Sequence, residues 1–122
     1  MIVKRLEDLE AYQLAGELAV VVYRLVKKLP DYEKYCLKDQ LCRAVVSVGS
    51  NIAEGFGRYH FKDKNIFFYN ARGSLFEVKF QLSLCYKLGY ISENETNKVI
   101  SEIDILAVKL NNLISSITNN NK

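Results

Sequence analysis

A helical stretch between Leu37 and Arg58 with two apolar stripes constrains the fold of this chain most. Apolar residues recur along it three and four positions apart, which places them on one face of a helix. A helix at a protein surface has one apolar stripe, so this helix is expected to pack on two sides, against its own domain or also against another subunit. The first stripe consists of Leu37, Leu41, Ala44, Val45, Val48, Ile52 and Gly55, and the second, of small residues, consists of Cys42, Val46, Gly49 and Ala53.

The next helical segment repeats this feature. Its first stripe is spaced by three and four over two and a half heptads, as in the seam of a helical bundle. Because a single small bundle cannot cover the second stripes of both helices, they predict a homo-oligomer with contacts on helices two and three. The first stripe consists of Phe68, Ala71, Leu75, Val78, Leu82 and Cys85, and the second of Tyr69, Gly73, Phe76, Phe80 and Leu84.

Four amphipathic segments make up the whole chain. Pro30 ends the first, Gly89 ends the third at a left-handed position, and Ser92 with Glu95 forms a capping box that begins the fourth. The connections are short and require antiparallel neighbours, which predicts an all-α, antiparallel up-down-up-down four-helix bundle in one domain, 1–122. The predicted helices span about residues 7–28, 33–58, 62–88 and 92–118.

Residues that could carry out chemistry are few. Cys36, Cys42 and Cys85 are odd in number and lie within apolar periodicity, which predicts reduced core thiols in a cytoplasmic protein. The single histidine, His60, has no partners at a metal-binding spacing or at the spacing of a nucleophile and its base. We therefore expect no enzyme activity, no catalytic residues, no metal and no cofactor. No apolar run is long enough to cross a membrane, so no membrane partner is expected either.

The charge pattern indicates where an anionic partner would bind. The net charge is +3, but residues 34–90 carry nine Lys and Arg against four Asp and Glu, whereas each flank has a net charge of −1. At the corner between helices two and three, cations alternate with aromatic residues from Arg58 to Lys64. Such a segment can hold phosphates and stack on unpaired bases. The alternative is an ordinary turn, in which the aromatic rings close the end of the bundle and the lysines stay solvated.

Further cations on the two helices extend this candidate surface. Arg43 lies on the polar stripe of helix two, and Arg72 and Lys79 are seven residues apart on one side of helix three. These side chains either add to a basic stripe or only flank the core with their aliphatic stems. The candidate nucleic-acid-binding residues are Arg43, Arg58, His60, Lys62, Lys64, Arg72 and Lys79.

Some of these residues also have a structural interpretation. Glu54 and Arg58 are spaced i,i+4, which fits a surface ion pair worth about 0.3–0.5 kcal/mol. The interpretation we prefer is a polar network at a contact between helices or subunits, because buried polar groups must be paired and such networks fix one arrangement. Its predicted members are Asn51, Glu54, Arg58, Arg72 and Glu77.

Specific strings in the sequence resemble a known family over nearly the whole chain. They include Asn51-Ile52-Ala53-Glu54-Gly55, Gly73-Ser74-Leu75 with Glu77, and Leu88-Gly89-Tyr90-Ile91. The chain is similar to the four-helix bundle proteins encoded in intervening sequences of bacterial 23S rRNA genes, the S23 family. That family is also similar to the accessory protein of diversity-generating retroelements, a basic pentameric barrel that binds nucleic acid and a reverse transcriptase. The resemblance implies an all-α bundle that assembles as a ring, a homopentamer, and it implies no established biochemical activity.

Two functions therefore remain open at the level of sequence. The first is a non-enzymatic homo-oligomer that binds RNA or DNA, or docks a nucleic-acid-processing partner, through a basic surface. The second is an oligomeric scaffold with a protein partner and no nucleic-acid binding. The two differ in their response to salt, because phosphate contacts weaken steeply as salt is added and apolar contacts do not.

Overall fold

Four helices form the fold, in a computed structural model that describes residues 5–120. They are α1 (Glu10–Leu25), α2 (Leu37–Phe56), α3 (Phe61–Lys87) and α4 (Glu93–Asn120), and the described part contains no strand. Short 3-10 turns span Leu6–Asp8, Val26–Lys28 and Asp31–Glu33. The predicted all-α class is confirmed.

The helix ends follow from local sequence. Gly89 has a φ of 83°, and the N–H groups of Gly89 and Tyr90 donate back into the last turn of α3, so that end is a Schellman motif. At the start of α4, the Ser92 N–H donates to Glu95 Oε1 (3.0 Å) and the Glu95 N–H donates to Ser92 Oγ (3.1 Å), which is the predicted capping box.

The second helix begins later than residue 33, the start given by the predicted range. The chain after Pro30 first makes a 3-10 turn, and α2 starts only at Leu37. The Glu33 carboxylate then accepts a hydrogen bond from the Leu37 N–H at 3.4 Å. Glu33 therefore satisfies one of the free donors at the start of α2 and is not itself part of that helix.

Each helix packs chiefly against two neighbours, in the order α1–α2–α3–α4 and back to α1. The α3–α4 contact carries three side-chain hydrogen bonds, and their positions rise by seven along α3 while they fall by seven along α4. Helices α3 and α4 are therefore antiparallel in a fixed heptad register. The three pairs are Asn65 with Thr118 (3.1 Å), Arg72 with Asn111 (2.9 Å) and Lys79 with Asp104 (2.8 Å).

The α1–α4 and α2–α3 contacts also join antiparallel helices. Glu10 and Lys109 form an ion pair at 3.2 Å, and Lys28 pairs with Glu95, so the start of α1 lies beside the later half of α4 and its end beside the start of α4. In the α2–α3 contact the Ser47 and Ser74 hydroxyls lie 2.9 Å apart, and Lys64 in the first turn of α3 donates to the Phe56 carbonyl oxygen at the end of α2, so these two helices are antiparallel as well. Neighbours that alternate in direction in this way form an up-down-up-down bundle.

The core lies along the axis of the bundle. Each fully buried Leu or Ile contributes roughly 1.5–3 kcal/mol relative to an exposed position. Cys85 belongs to this core, but Cys42 is only half-buried and Cys36 is exposed, so the prediction that all three thiols are core residues is wrong for Cys36, which precedes the first turn of α2. Side chains with at most 2% exposure include Leu18, Val22, Leu41, Val45, Val48, Ile52, Phe68, Leu75, Val78, Leu82, Ile103, Leu106 and Leu110.

Within residues 5–120, no helix combines the length and the apolar character that a membrane crossing requires.

At Gly55 the end of α2 lies directly against the start of α3. A Cβ atom added there would lie 2.7 Å from Phe68 Cε1 and 3.0 Å from the Lys64 carbonyl oxygen. Real Cβ atoms essentially never come this close, and the Lys64 oxygen belongs to the backbone. Only glycine at this position therefore lets the start of α3 lie against the end of α2.

We expect Gly55→Ala to lower the free energy of unfolding by about 1–3 kcal/mol, because the added methyl group overpacks the α2–α3 contact. The measurement is urea denaturation followed by circular dichroism. Gly57→Ala is the matched control, since Gly57 has an ordinary φ of −76° and its nearest atoms would lie 3.6 Å away. The control should change stability by less than about 0.5 kcal/mol. Equal stability of the two variants would contradict the packing argument.

We also expect the charge on Glu95 to stabilise the fold in a pH-dependent way. The hydrogen bond from Lys28, followed by the bond from the Ser92 backbone, lowers the pKa of Glu95 from 4.5 to about 2. A lowered folded-state pKa means that the stabilisation is complete above the unfolded pKa near 4.5 and is lost as the pH falls towards 2. Glu95→Gln should therefore be less stable than the natural chain at pH 7, and the gap in urea denaturation should shrink below pH 4.5. A gap that stays constant with pH would contradict this assignment.

Candidate functional site

The predicted basic corner lies between the end of α2 and the start of α3. Tyr59 is 90% exposed, and its ring meets the His60 ring edge to face, with the centroids 5.0 Å apart. Lys62, in the first turn of α3, is also exposed and makes no hydrogen bond or ion pair through its side chain among residues 5–120. The exposed part of the corner therefore presents the Tyr59 and His60 rings and Phe61 beside the Lys62 ammonium group and the Asp63 carboxylate.

The other two cations of the corner have partners within the chain. Arg58 pairs with Glu54, and its guanidinium lies 4.6 Å from the centre of the Phe67 ring. The Lys64 ammonium donates to the carbonyl oxygens of Phe56 (2.8 Å) and Gly55 (3.4 Å), and burial lowers its pKa. Lys64 thus satisfies the free carbonyl groups at the end of α2 and stabilises the fold, as cations near helix C-termini do.

The remaining predicted cations lie on other sides of the bundle. Arg43 is exposed on α2 and pairs with Asp39 at 3.0 Å. Arg72 and Lys79 face α4, where they bind Asn111 and Asp104. The seven candidate residues therefore do not form one continuous basic surface on a single chain, and carboxylates balance the charge of three of them, Arg43, Arg58 and Lys79.

The five predicted network residues are not joined to one another within one chain. Only Glu54 and Arg58 touch, whereas Asn51 donates to the Ser47 carbonyl oxygen (2.9 Å) and hydroxyl (3.0 Å). Arg72 binds α4, and Glu77 is exposed and makes no side-chain hydrogen bond or ion pair among the described residues. A network at a contact between subunits stays a prediction.

Two exposed apolar surfaces are the most distinctive features of the outside of the bundle. The first is a row of large side chains on α3, on the side opposite its core positions. We call it the α3 ridge; Phe80 is 67% exposed and Phe76 48% exposed. Gly73 leaves a gap in the row, with no atom within 4 Å of an added Cβ. The α3 ridge consists of Ile66, Tyr69, Phe76 and Phe80 around Gly73.

The second surface is a long depression between α1 and α2, which we call the α1–α2 groove. It has a volume of about 620 Å³, and much of its lining is Gly and Ala. The small residues on the α2 side of the groove were predicted as a second stripe. Those on the α1 side were not predicted, although the small residues around Gly16 are visible in the sequence. Its apolar lining consists of Tyr12, Ala15, Gly16, Ala19 and Val20 from α1, and Val45, Val46, Gly49 and Ala53 from α2.

Groups with shifted pKa values stabilise the fold. Burial, and then the charge of Glu33, raises the pKa of the Cys85 thiol to about 11. The pKa of Tyr90 is also raised, first by its hydrogen bond with Tyr32 (3.0 Å) and then by burial and by its bond to Glu33 (2.9 Å). Tyr32, Glu33 and Tyr90 thus tie the α1–α2 connection to the α3–α4 connection. Among residues 5–120, no three His, Cys, Asp or Glu side chains are grouped so that they could hold a metal ion.

Comparison with known proteins agrees with this fold. A protein of unknown function from the S23 ribosomal protein family of Bacteroides thetaiotaomicron has a crystal structure that superposes with a TM-score of 0.79. The sequences are 22% identical, and the match covers 85% of this chain and 97% of the other. No curated protein matches the sequence. The model of the family described as 23S rRNA-intervening sequence protein matches residues 7–112, and the chain therefore belongs to that family.

Proposed function

We propose that this chain is a non-enzymatic, cytoplasmic scaffold that assembles with copies of itself. The observation that carries the proposal is the α3 ridge, because large exposed apolar rows on small proteins mark contact surfaces. Phe76 and Phe80 are one helical turn apart, and the described chain leaves about half of Phe76 and two thirds of Phe80 exposed. Covering them with a second copy would remove apolar surface from water, which stabilises the assembly by roughly 25 cal/mol for each Å² buried.

The α1–α2 groove supports the same proposal and suggests the mode of contact. Its glycines and alanines leave room for side chains from another molecule, whereas the α3 ridge projects such side chains. The ridge of one copy then fills the groove of the next. A contact between two different surfaces is heterologous, and it closes into a ring when the rotation between copies permits. The homopentamer implied by the family resemblance is one such ring.

The absence of enzyme activity is part of this proposal. Three of the five groups with shifted pKa values have structural partners: Lys64 caps α2, Glu95 caps α4, and Tyr90 joins two connections. The other two are the thiols of Cys42 and Cys85, whose pKa values are raised chiefly by burial. In an enzyme, the pKa of a catalytic acid or base is shifted by its surroundings in a cleft that admits a substrate. These three residues instead use their polar atoms to hold helices and connections in place.

The expected outcome for the natural chain is an oligomer by light scattering at about 50 μM. Phe80→Glu, which places a charge in the apolar contact, should weaken the assembly by about 30-fold or more. Ile105→Glu is the matched control, since Ile105 is 50% exposed on α4 and lies outside both surfaces. A natural chain that stays monomeric, or a control that dissociates as readily as Phe80→Glu, would contradict the proposal.

Mixing two variants tests whether the contact joins ridge to groove. Val46→Glu, in the α1–α2 groove, should dissociate the assembly as Phe80→Glu does. A mixture of the two variants should then form heterodimers, because one intact ridge can still meet one intact groove. If Val46→Glu alone stays assembled, the ridges pair with each other and the heterologous mode is wrong.

Nucleic-acid binding is the second candidate function, and the exposed part of the corner supports it. Tyr59 and His60 present ring faces and edges beside the Lys62 ammonium, which is the combination on which unpaired bases stack and phosphates bind. If RNA or DNA binds there, Lys62→Glu should weaken the binding of a labelled 20-nucleotide single strand by about tenfold at 50 mM salt. Fluorescence anisotropy measures this. Binding that is unchanged in Lys62→Glu would exclude the corner.

A further inference from the structure

The distribution of unpaired cations identifies a different part of the bundle. Most Lys and Arg side chains bind a carboxylate, an amide or a carbonyl group within the chain. A carboxylate partner balances the charge of a cation, and an amide or carbonyl partner occupies its N–H donors without changing its charge. The cations with neither kind of partner therefore have both their charge and their donors free for a phosphate. Among residues 5–120, the Lys and Arg side chains that make no hydrogen bond or ion pair are those of Arg24, Lys27, Lys34, Lys62, Lys87 and Lys98.

Five of these six cations lie at one end of the bundle, opposite the Tyr59 corner. Antiparallel packing brings together the ends of α1 and α3 and the starts of α2 and α4. Lys62 alone lies at the other end, in the first turn of α3. We call the first surface the basic end, and it consists of Arg24, Lys27, Lys34, Lys87 and Lys98.

The carboxylates at this end leave an excess of positive charge. Glu95 pairs with Lys28, Asp31 pairs with Lys38 at 3.8 Å, and Glu33 accepts from Tyr90. The unpaired carboxylates here are Glu93 and Glu102. The Tyr90 hydroxyl is neutral and leaves the charge of Glu33 unbalanced, so five unpaired cations face three carboxylates that have no cation partner.

The basic end also has a cleft between α1 and α4. It has a volume of about 290 Å³, and Val21, Leu25 and Val99 form its apolar lining. Arg24 and Lys98 stand at its rim, together with the Lys28–Glu95 pair and Glu102. Arg24 also borders a second depression, which includes Tyr23 and Lys27. The Arg24 guanidinium group can therefore meet an anion either in the cleft or in this second depression.

Aromatic rings accompany these cations. Tyr35 is 83% exposed in the connection between α1 and α2, and the Lys34 ammonium lies 5.4 Å from the centre of its ring. Tyr32, in the same connection, is also exposed. Exposed rings among cations are the elements that single-stranded nucleic acids need, because bases stack on the rings while the backbone follows the positive charge.

We propose that the basic end binds an unpaired nucleic-acid strand, with phosphates at Arg24 and Lys98 and a base stacked on Tyr35. The proposal rests on the second candidate function, nucleic-acid binding, and moves the site from the corner to the other end of the bundle. It does not depend on the scaffold proposal. Unpaired strands are favoured over duplexes, because a base must be free to stack on the tyrosine.

The experiment is fluorescence anisotropy of the full chain with labelled 20-nucleotide oligo(U) and oligo(dT), at 50 and 200 mM salt. We expect Arg24→Glu and Lys98→Glu each to weaken binding about tenfold or more at 50 mM salt and to reduce the salt dependence, since a phosphate contact is lost. Tyr35→Ala should weaken binding about fivefold or more through lost stacking. Lys62→Glu is measured as the variant of the corner at the other end. The matched control is Lys109→Glu, which makes the same change of charge on α4 outside both the corner and the basic end and should stay within about twofold.

The possible results separate this inference from the function on which it rests. Absence of binding by the natural chain at 50 mM salt would overturn both. Binding that is lost in Lys62→Glu and retained in Arg24→Glu and Lys98→Glu would keep nucleic-acid binding and overturn the site proposed here. Equal weakening in Arg24→Glu, Lys98→Glu and Lys109→Glu would also overturn it, because the effect would then follow net charge alone. A 20-base-pair duplex that binds as tightly as the single strands would overturn the role of Tyr35.

Discussion

The contact of α2 with α3 determines which surfaces of this bundle remain available to other molecules. At Gly55 the two helices approach so closely that a methyl group would meet the Lys64 carbonyl oxygen. Farther along the contact, the Ser47 and Ser74 hydroxyls lie 2.9 Å apart. With the inner side of α3 held against α2 in this way, its apolar row points outward. On the other side of α2, its small residues meet those of α1 across a groove.

The same packing explains why a basic sequence segment does not make a basic surface. Cations in residues 34–90 outnumber carboxylates in that segment, but helix neighbours bring partners from elsewhere in the chain. Lys79 meets Asp104 and Arg72 meets Asn111, because α3 and α4 are antiparallel with positions that match every seven residues. Arg24 and Lys98 come from segments with a net charge of −1, and they are among the cations left without partners. The surface charge of this protein therefore depends more on which residues the helix packing brings together than on the net charge of a sequence segment.

The fold could be predicted from the sequence to the extent that local signals determine it. The apolar stripe of α3, Gly89 at its end and the Ser92–Glu95 capping box each act within a few residues. The beginning of α2 could not be predicted as well, because a 3-10 turn and the Glu33 carboxylate compete with helix initiation there. The candidate site was least predictable, since Lys64 as a helix cap depends on a tertiary contact with the Phe56 carbonyl. The α1 half of the groove was missed for the same reason, because its small residues form a groove only where they lie beside those of α2.

The two proposals occupy different parts of the molecule, and this has a consequence for binding strength. The α3 ridge and the α1–α2 groove run along the sides of the bundle, whereas the basic end is formed where helices begin and end. A ring built through the sides would leave the α1–α4 cleft of that end uncovered in every copy, because the cleft shares no lining residue with the groove. Rotational symmetry would repeat the cleft at equal spacing on one side of the ring. A single basic end, with a small excess of charge, would hold a strand weakly. Several of them fixed in one ring would bind the same strand as linked sites, so the second and later contacts would form at a high effective concentration. Dissociating the ring would therefore weaken nucleic-acid binding even though no residue of the basic end had changed.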